Sequence, residues 1–207
     1  HTLRITTATP HGGVSNPGYW GIGVSSQEGF ALRFWARTLS SAGTPLVARV
    51  SDPDSGSRLT EDVRLQIQCC KWKMYEAELR PHARRADHGN FVFPIGHLEL
   101  ILLEPGSLII DSVSLIPTDA VRGLFRRDLF QRLVQLRPGF VRMPGGNYLE
   151  GHGPRTFWNW KSTLGAPAAR SGHYNSAWKY WVTDALGLFE LLTLAEALGT
   201  EAQLSIF

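Results

Sequence analysis

The residues best placed to do chemistry stand in "FVRMPGGNYLEGHGPRTFWNWKSTLG", which begins at Phe140. Arg142 closes an apolar run, Pro144-Gly145-Gly146 turns the chain, and Asn147 follows at once. An arginine is a rigid fork of donors that can hold a carboxylate in place. An asparagine offers a donor and an acceptor to a hydroxyl group. The paired glycines permit a positive φ and a close backbone approach, which frees Asn147 to face inward. The loop that follows carries Tyr148, Phe157, Trp158, Trp160, Tyr174, Trp178, Tyr180 and Trp181. Flat aromatic faces suit the C–H face of a sugar ring, so the set reads as a carbohydrate pocket whose arginine steadies an acidic group. The same residues would also serve as a turn with a buried arginine–carboxylate staple and an aromatic plug.

Other reactive residues are less organised. Glu150, His152 and His173 lie in the same loop, and two histidines about 20 residues apart without a second motif read as hydrogen-bonded or surface groups rather than metal ligands. No G-x-S-x-G elbow, phosphate loop or dinucleotide fingerprint is present, and no cofactor is called for. Cys69 and Cys70 are the only cysteines. Neighbours on a chain rarely reach disulfide geometry, so two packed or free thiols are expected. The net charge is +3, with 17 arginines against 4 lysines. The densest basic stretch, "PHARRADH" with Arg84 and Arg85, is too short to track a phosphate backbone, which argues against nucleic acid as a partner. No run of about 18 apolar residues exists to span a membrane. The first residue is His1 and no leader is visible, so the expectation is that processing or truncation has removed the true start.

Two kinds of element must position these residues. Up to about Pro117 the period is two. Leu32, Phe34 and Ala36 share a face in "FALRFWAR", with Arg33 and Arg37 opposite. Leu46, Ala48 and Val50 do so in "LVARV", and Tyr75, Ala77 and Leu79 in "YEAEL". With "LELILLE", "SLIIDSVSLI" and the turn cluster "SDPDSGS", the pattern predicts an antiparallel β-sandwich over 1–117. In "SNPGYWGIG", Tyr19 and Trp20 fit two roles, packing at an edge loop, which is the one expected, or a sugar platform.

From 118 to 207 the period becomes helical. Leu129, Phe130, Leu133, Val134 and Leu136 form one face, Pro138-Gly139 stops that helix, and Phe140-Val141-Arg142 is a short buried strand. In "TDALGLFELLTLAEALG", Thr183 or Asp184 caps a second helix, Leu188, Leu191, Leu192, Ala195 and Leu198 make its stripe, and Gly199 ends it. "AQLSIF" opens another strand. Helix–strand–helix–strand is the grammar of a parallel α/β sheet or barrel, and two strands cannot close one. Between Met143 and Asp184 runs a long loop that its rings should bury and order.

The stretches "DLFQRLVQLRPGFVRMPGGNYLEG" and "WNWKSTLGAPAARSGHYNSAWKYWVTDALGLFELLTLAEALG" resemble the α-L-arabinofuranosidases of glycoside hydrolase family 51. "GGVSNPGYWGIGV" and "LIIDSVSLIPTD" are similar, more loosely, to the jelly-roll, carbohydrate-binding-module-like sandwich of plant-type members. The resemblance implies a (β/α)8 barrel, of which 118–207 would supply about strands two and three. It also implies retaining hydrolysis of terminal non-reducing α-L-arabinofuranosyl groups by two glutamates. Those glutamates would come after Phe207, and the first barrel strand before His1. It implies that Arg142 lies beside the nucleophile, that Asn147 contacts the sugar and that Trp178 lines the site. Plant members usually carry cysteine where Asn147 stands, and "GAPAARSGHY" lacks the glutamates of a "GPWEERPGHY"-like stretch, which bears on specificity.

Three readings follow. The first is an enzyme segment, inactive and aggregation-prone alone, serving an arabinose-containing polysaccharide or oligosaccharide outside the cell. The second is a carbohydrate-binding module without catalysis, reporting sugar through Trp20, Trp35 or Trp72. The third is a degenerate product with neither activity.

Overall fold

The computed structural model describes residues 2–24, 29–82 and 94–206. Arg84 and Arg85 lie outside them. The chain divides into two compact units, His1–Asp119 and Ala120–Phe207.

The first unit is built from β1 (Leu3–Thr7), β2 (Gly12–Asn16), β3 (Ile22–Gly23), β4 (Phe30–Thr38), β5 (Thr44–Ser51), β6 (Val63–Ile67), β7 (Lys73–Leu79), β8 (Ile95–Leu102) and β9 (Gly106–Pro117). One sheet has the order β1-β9-β4-β7. The other has the order β2-β8-β5-β6, with β3 also on β8. Every pairing between these strands is antiparallel. The alternation of β4 works as read: Phe30, Leu32, Phe34 and Ala36 are buried, while Arg33 and Trp35 are exposed. Their inward side chains meet Leu46, Ala48 and Val50 of β5, Tyr75 and Leu79 of β7 and Leu98, Leu100 and Leu102 of β8 in one core. A polar stitch also joins the sheets. Thr44 Oγ1 donates to Thr38 Oγ1 at 2.8 Å, and Thr38 Oγ1 donates to the Ser107 carbonyl at 2.9 Å. This satisfies hydroxyls that would otherwise be costly to bury. Opposite Arg33 and Trp35 the register of β9 shifts, where Ser112 takes φ 52°, and this bulge bends the longest strand over the core.

Two expectations fail in this unit. Cys69 and Cys70 are joined as a disulfide between adjacent residues, not free thiols. Cys70 adopts φ 73°, a left-handed backbone that turns the two side chains toward each other. Tyr19 and Trp20 do not pack at an edge. They are 77% and 85% exposed, and their rings meet edge to face.

The second unit contains α1 (Arg127–Leu136), β10 (Phe140–Met143), the single turn α2 (Asn147–Glu150), β11 (His173–Asn175), β12 (Tyr180–Val182), α3 (Leu188–Leu198) and β13 (Glu201–Leu204). Strands β10 and β13 pair in parallel, with Arg142 opposite Gln203. Parallel neighbours joined through a helix are the repeating unit of a (β/α)8 barrel. The long loop is ordered as α2, two 3₁₀ turns at 160–163 and 167–169, and the antiparallel β11–β12 hairpin.

Burial departs from the sequence pattern here. The apolar face of α1 is present, but none of its residues is buried, and Leu136 is 73% exposed. Strand β10 is not a buried strand either: only Met143 is buried, and Phe140 is exposed. Its one pairing among the described residues is with β13, so its apolar side chains lack the neighbours that closure of a sheet would supply. Helix α3 begins later than expected. Its cap is Gly187 rather than Thr183 or Asp184, while Gly199 ends it at φ 66° as the sequence indicates. Along its stripe Ala195 is buried and Leu192 is exposed.

Candidate functional site

Arg142 sits at the penultimate position of β10, flanked by partly buried Val141 and buried Met143, and its own side chain is exposed. No carboxylate pairs with it among the described residues. Its guanidinium folds back over the turn. A Cβ placed on Gly145 would come within 2.5 Å of Arg142 Nε and 2.6 Å of its Cζ. Glycine is therefore what lets the guanidinium lie against the backbone there. Gly146 takes φ 55° and delivers Asn147 as the first residue of α2, with its side chain exposed. The positive φ read for this turn is present at Gly146, but Asn147 is exposed rather than turned inward, and the buried arginine–carboxylate staple does not apply to Arg142.

Trp178 lies in the turn of the β11–β12 hairpin. Its backbone N–H donates to Asn175 Oδ1 at 2.8 Å and its ring is 61% exposed. No hydrogen bond or ring contact joins Trp178 to Arg142 or Asn147 among the described residues. The connection is indirect. Tyr148, next to Asn147, meets the His173 ring edge to face at 5.7 Å, and His173 opens the hairpin. The rings of the loop divide accordingly. Trp158 is buried against Tyr148, whereas Phe157, Tyr174, Tyr180 and Trp181 are exposed with Trp178.

Beneath this surface lies a polar core that the sequence reading missed. Arg170 is held with its side chain 2% exposed. Nη1 and Nη2 donate to the two oxygens of Glu190, and they also reach the carbonyls of Asp184 at 2.7 Å and Gly165 at 2.8 Å. Glu190 Oε2 in turn accepts the Gly187 N–H at 2.8 Å, capping α3 from its third position. Thr163 Oγ1 accepts the next N–H, from Leu188, at 3.0 Å. A Cβ on Gly187 would fall 2.7 Å from Thr163 Cβ and 2.8 Å from Arg170 Nη1, so this cap position has no room for a side chain. The signal was available in the glutamate three residues after the cap.

His173 is bound, as the sequence indicates, and its Nδ1 lies 3.0 and 3.1 Å from the two oxygens of buried Asp184. Burial pushes the Tyr148 hydroxyl up to about 12, and the charge of Asp184 and the Tyr180 hydroxyl add to it. For Glu190, burial pushes the carboxyl upward. The hydrogen bonds from Arg170 and from backbone N–H groups outweigh that and hold it below the ordinary carboxylate range. The loop is thus fixed from below by ion pairs and caps, and it presents Arg142, Asn147 and Trp178 outward.

Residues 132–207 match the family described as Alpha-L-arabinofuranosidase 1 domain. The chain is 35% identical to Alpha-L-arabinofuranosidase 2 of Arabidopsis thaliana, over 95% of its own length and 28% of that protein. It is 28% identical to Alpha-L-arabinofuranosidase A of Aspergillus niger, over 97% of its own length and 31% of that protein. An arabinose-bound family 51 α-L-arabinofuranosidase superposes with a TM-score of 0.83 at 27% identity, covering 98% of this chain and 33% of the other. The chain therefore spans less than a third of the length of the curated relatives it matches.

Proposed function

The chain is a segment of the α-L-arabinofuranosidases of glycoside hydrolase family 51, and from that premise we propose that the whole protein hydrolyses terminal non-reducing α-L-arabinofuranosyl groups by a retaining mechanism. Retention needs two carboxylates, one as nucleophile and one as acid/base. This segment contributes the substrate side of the pocket. Arg142 braces the nucleophilic carboxylate, Asn147 hydrogen-bonds a sugar hydroxyl, and Trp178 offers its ring to the C–H face.

One observation carries the assignment. Arg142 stands at the C-terminal end of a parallel strand, the end where such barrels build their sites, with its guanidinium on Gly145 and no carboxylate partner among the described residues. Neither β10 nor β13 carries an acidic residue at that end. The 207 residues alone are accordingly expected to be inactive. A wall polysaccharide bearing arabinose as substrate supports a site of action outside the cell. Among the described residues no helix is long and apolar enough to cross a membrane.

The test is turnover of an aryl α-L-arabinofuranoside. The whole protein should cleave it, and Arg142→Ala should lower kcat/KM by about 10²–10³. Full activity in that variant, or turnover by the 207-residue chain alone, would refute the assignment.

A further inference from the structure

The outer face of the β2-β8-β5-β6 sheet departs from what a solvent-facing sheet should look like. Alternation along β5 places Leu46, Ala48 and Val50 inward, and so Val47 and Arg49 outward. Yet Val47 is only 3% exposed. A cavity of about 380 Å³ opens over it, lined by His11, Arg49, Arg58, Asp62, Arg64, Ile101 and Leu103 besides Val47 itself. That volume is within the range of small-ligand sites.

The register explains how the walls arise. Glu99, Arg49 and Asp62 form one cross-strand row, since Arg49 pairs with Glu99 and Asp62 precedes Val63, the partner of Ala48. Two residues along, Ile101, Val47 and Arg64 form the next row. An apolar floor therefore abuts a charged wall.

The charges are unequal. Three guanidinium groups line the cavity against one carboxylate, Asp62. Arg49 is fixed by Glu99 behind it, at 2.7 Å, and lies 3.6 Å from Asp62. Arg58 reaches Asp62 at 3.2 Å. Arg64 has no carboxylate partner among the described residues and lies on the cavity wall. The Glu99 anchor is completed by Ser51 Oγ at 2.9 Å, so Arg49 is held in place before any ligand arrives.

We infer that this cavity binds a carboxylate-bearing sugar, with the carboxylate on Arg64 and Arg58 and the ring's C–H face on Ile101 and Leu103, which are partly exposed there. A planar guanidinium matches a carboxylate with two parallel hydrogen bonds. A ring that is apolar on one face and ionised at its edge fits a floor of isoleucine and leucine beside an arginine wall. A bare inorganic anion would leave that floor unused. The inference does not rest on the proposed arabinofuranosidase activity, and it concerns the first unit alone.

Calorimetric titration of the 207-residue chain at low salt tests it, with methyl α-D-galacturonoside, its neutral counterpart methyl α-D-galactoside, and inorganic phosphate. The expected result is binding of the uronide in the range of about 0.1–1 mM, weakening with salt. The neutral glycoside and phosphate should bind at least about tenfold more weakly. Arg64→Gln should weaken uronide binding about fivefold or more with an unchanged Tm, and Arg58→Gln should act likewise. Both side chains are exposed enough to be replaced without unfolding. In the whole protein, Arg64→Gln should leave aryl arabinofuranoside turnover unchanged, which separates this site from the proposed active site. Equal affinity for the uncharged sugar, phosphate binding as tight as the uronide, or uronide binding indifferent to both variants would each overturn the inference.

Discussion

Arg170 grips the carboxylate of Glu190 with two parallel hydrogen bonds, Nη1 to Oε2 at 3.0 Å and Nη2 to Oε1 at 2.9 Å, across 20 residues of chain. The pair is nearly sealed from solvent and also holds the N-terminus of α3 and two loop carbonyls. It is the keystone of the second unit. Removing one partner leaves the other charge buried and unpaired, which costs about 3–5 kcal/mol. Arg170→Ala should therefore lower the stability of this unit by that amount in denaturant unfolding. Arg170→Lys cannot form both parallel bonds and should cost about 1–2 kcal/mol. A wild-type unfolding curve for either variant would show that the pair is not structural.

The pH dependence of the same pair has a definite sign. The Glu190 carboxyl titrates lower in the folded chain than in the unfolded one. Its contribution is present above the unfolded value of about 4.3 and is lost as pH falls through the lower folded value. Thermal melts should show the second unit losing stability below about pH 4. Glu190→Gln should start less stable and show a flatter acid limb.

Tyr148 acts at the opposite end of the scale. With its hydroxyl raised to about 12 in the folded chain, its contribution is complete below the unfolded value of about 10 and is lost as pH rises through the folded value. Alkaline melts between those limits should destabilise the second unit. Tyr148→Phe should remove that slope. An ultraviolet titration in which every tyrosine ionises near 10 would contradict the burial of this ring.

Gly145 tests the position of Arg142 without touching the arginine. The Cβ of Gly145→Ala would collide with the guanidinium, which sits on a long, exposed side chain and can swing away. The substitution should change stability by only about 0.5 kcal/mol. It should still shift the Arg142 Nε resonance and, in the whole protein, lower arabinofuranoside turnover. An unmoved Nε resonance would mean that the guanidinium does not rest on the turn.

The face of α1 gives a solubility prediction. Leu129, Val134 and Leu136 are exposed at 54%, 47% and 73%. Leu136→Lys and Val134→Lys should raise the solubility of the 207-residue chain and reduce its binding of a hydrophobic dye, with stability changes within about 0.5 kcal/mol. Lower solubility or a large loss of stability would mean that this face is packed.

The sequence by itself determined what depends on near neighbours. Alternation along β4, β5 and β7 assigned each side chain to a face, because strand geometry fixes that face every second residue. Gly199 ended α3, and Pro144-Gly145-Gly146 turned the chain between Arg142 and Asn147, because backbone preferences act within a few residues. Only the tertiary structure decided how deep a face is buried and which distant group a charge meets. The stripe on α1 is real yet unburied, since periodicity states which way side chains point and not what covers them. Arg170 found Glu190, and Glu190 took the cap expected of Thr183 or Asp184, through a fold of the loop with no local signature. Val47, outward by alternation, is buried between its cross-strand partners Arg64 and Ile101, which come from strands distant in sequence. Pairings of this kind are settled by the free energy of long-range contacts, which no window of adjacent residues contains.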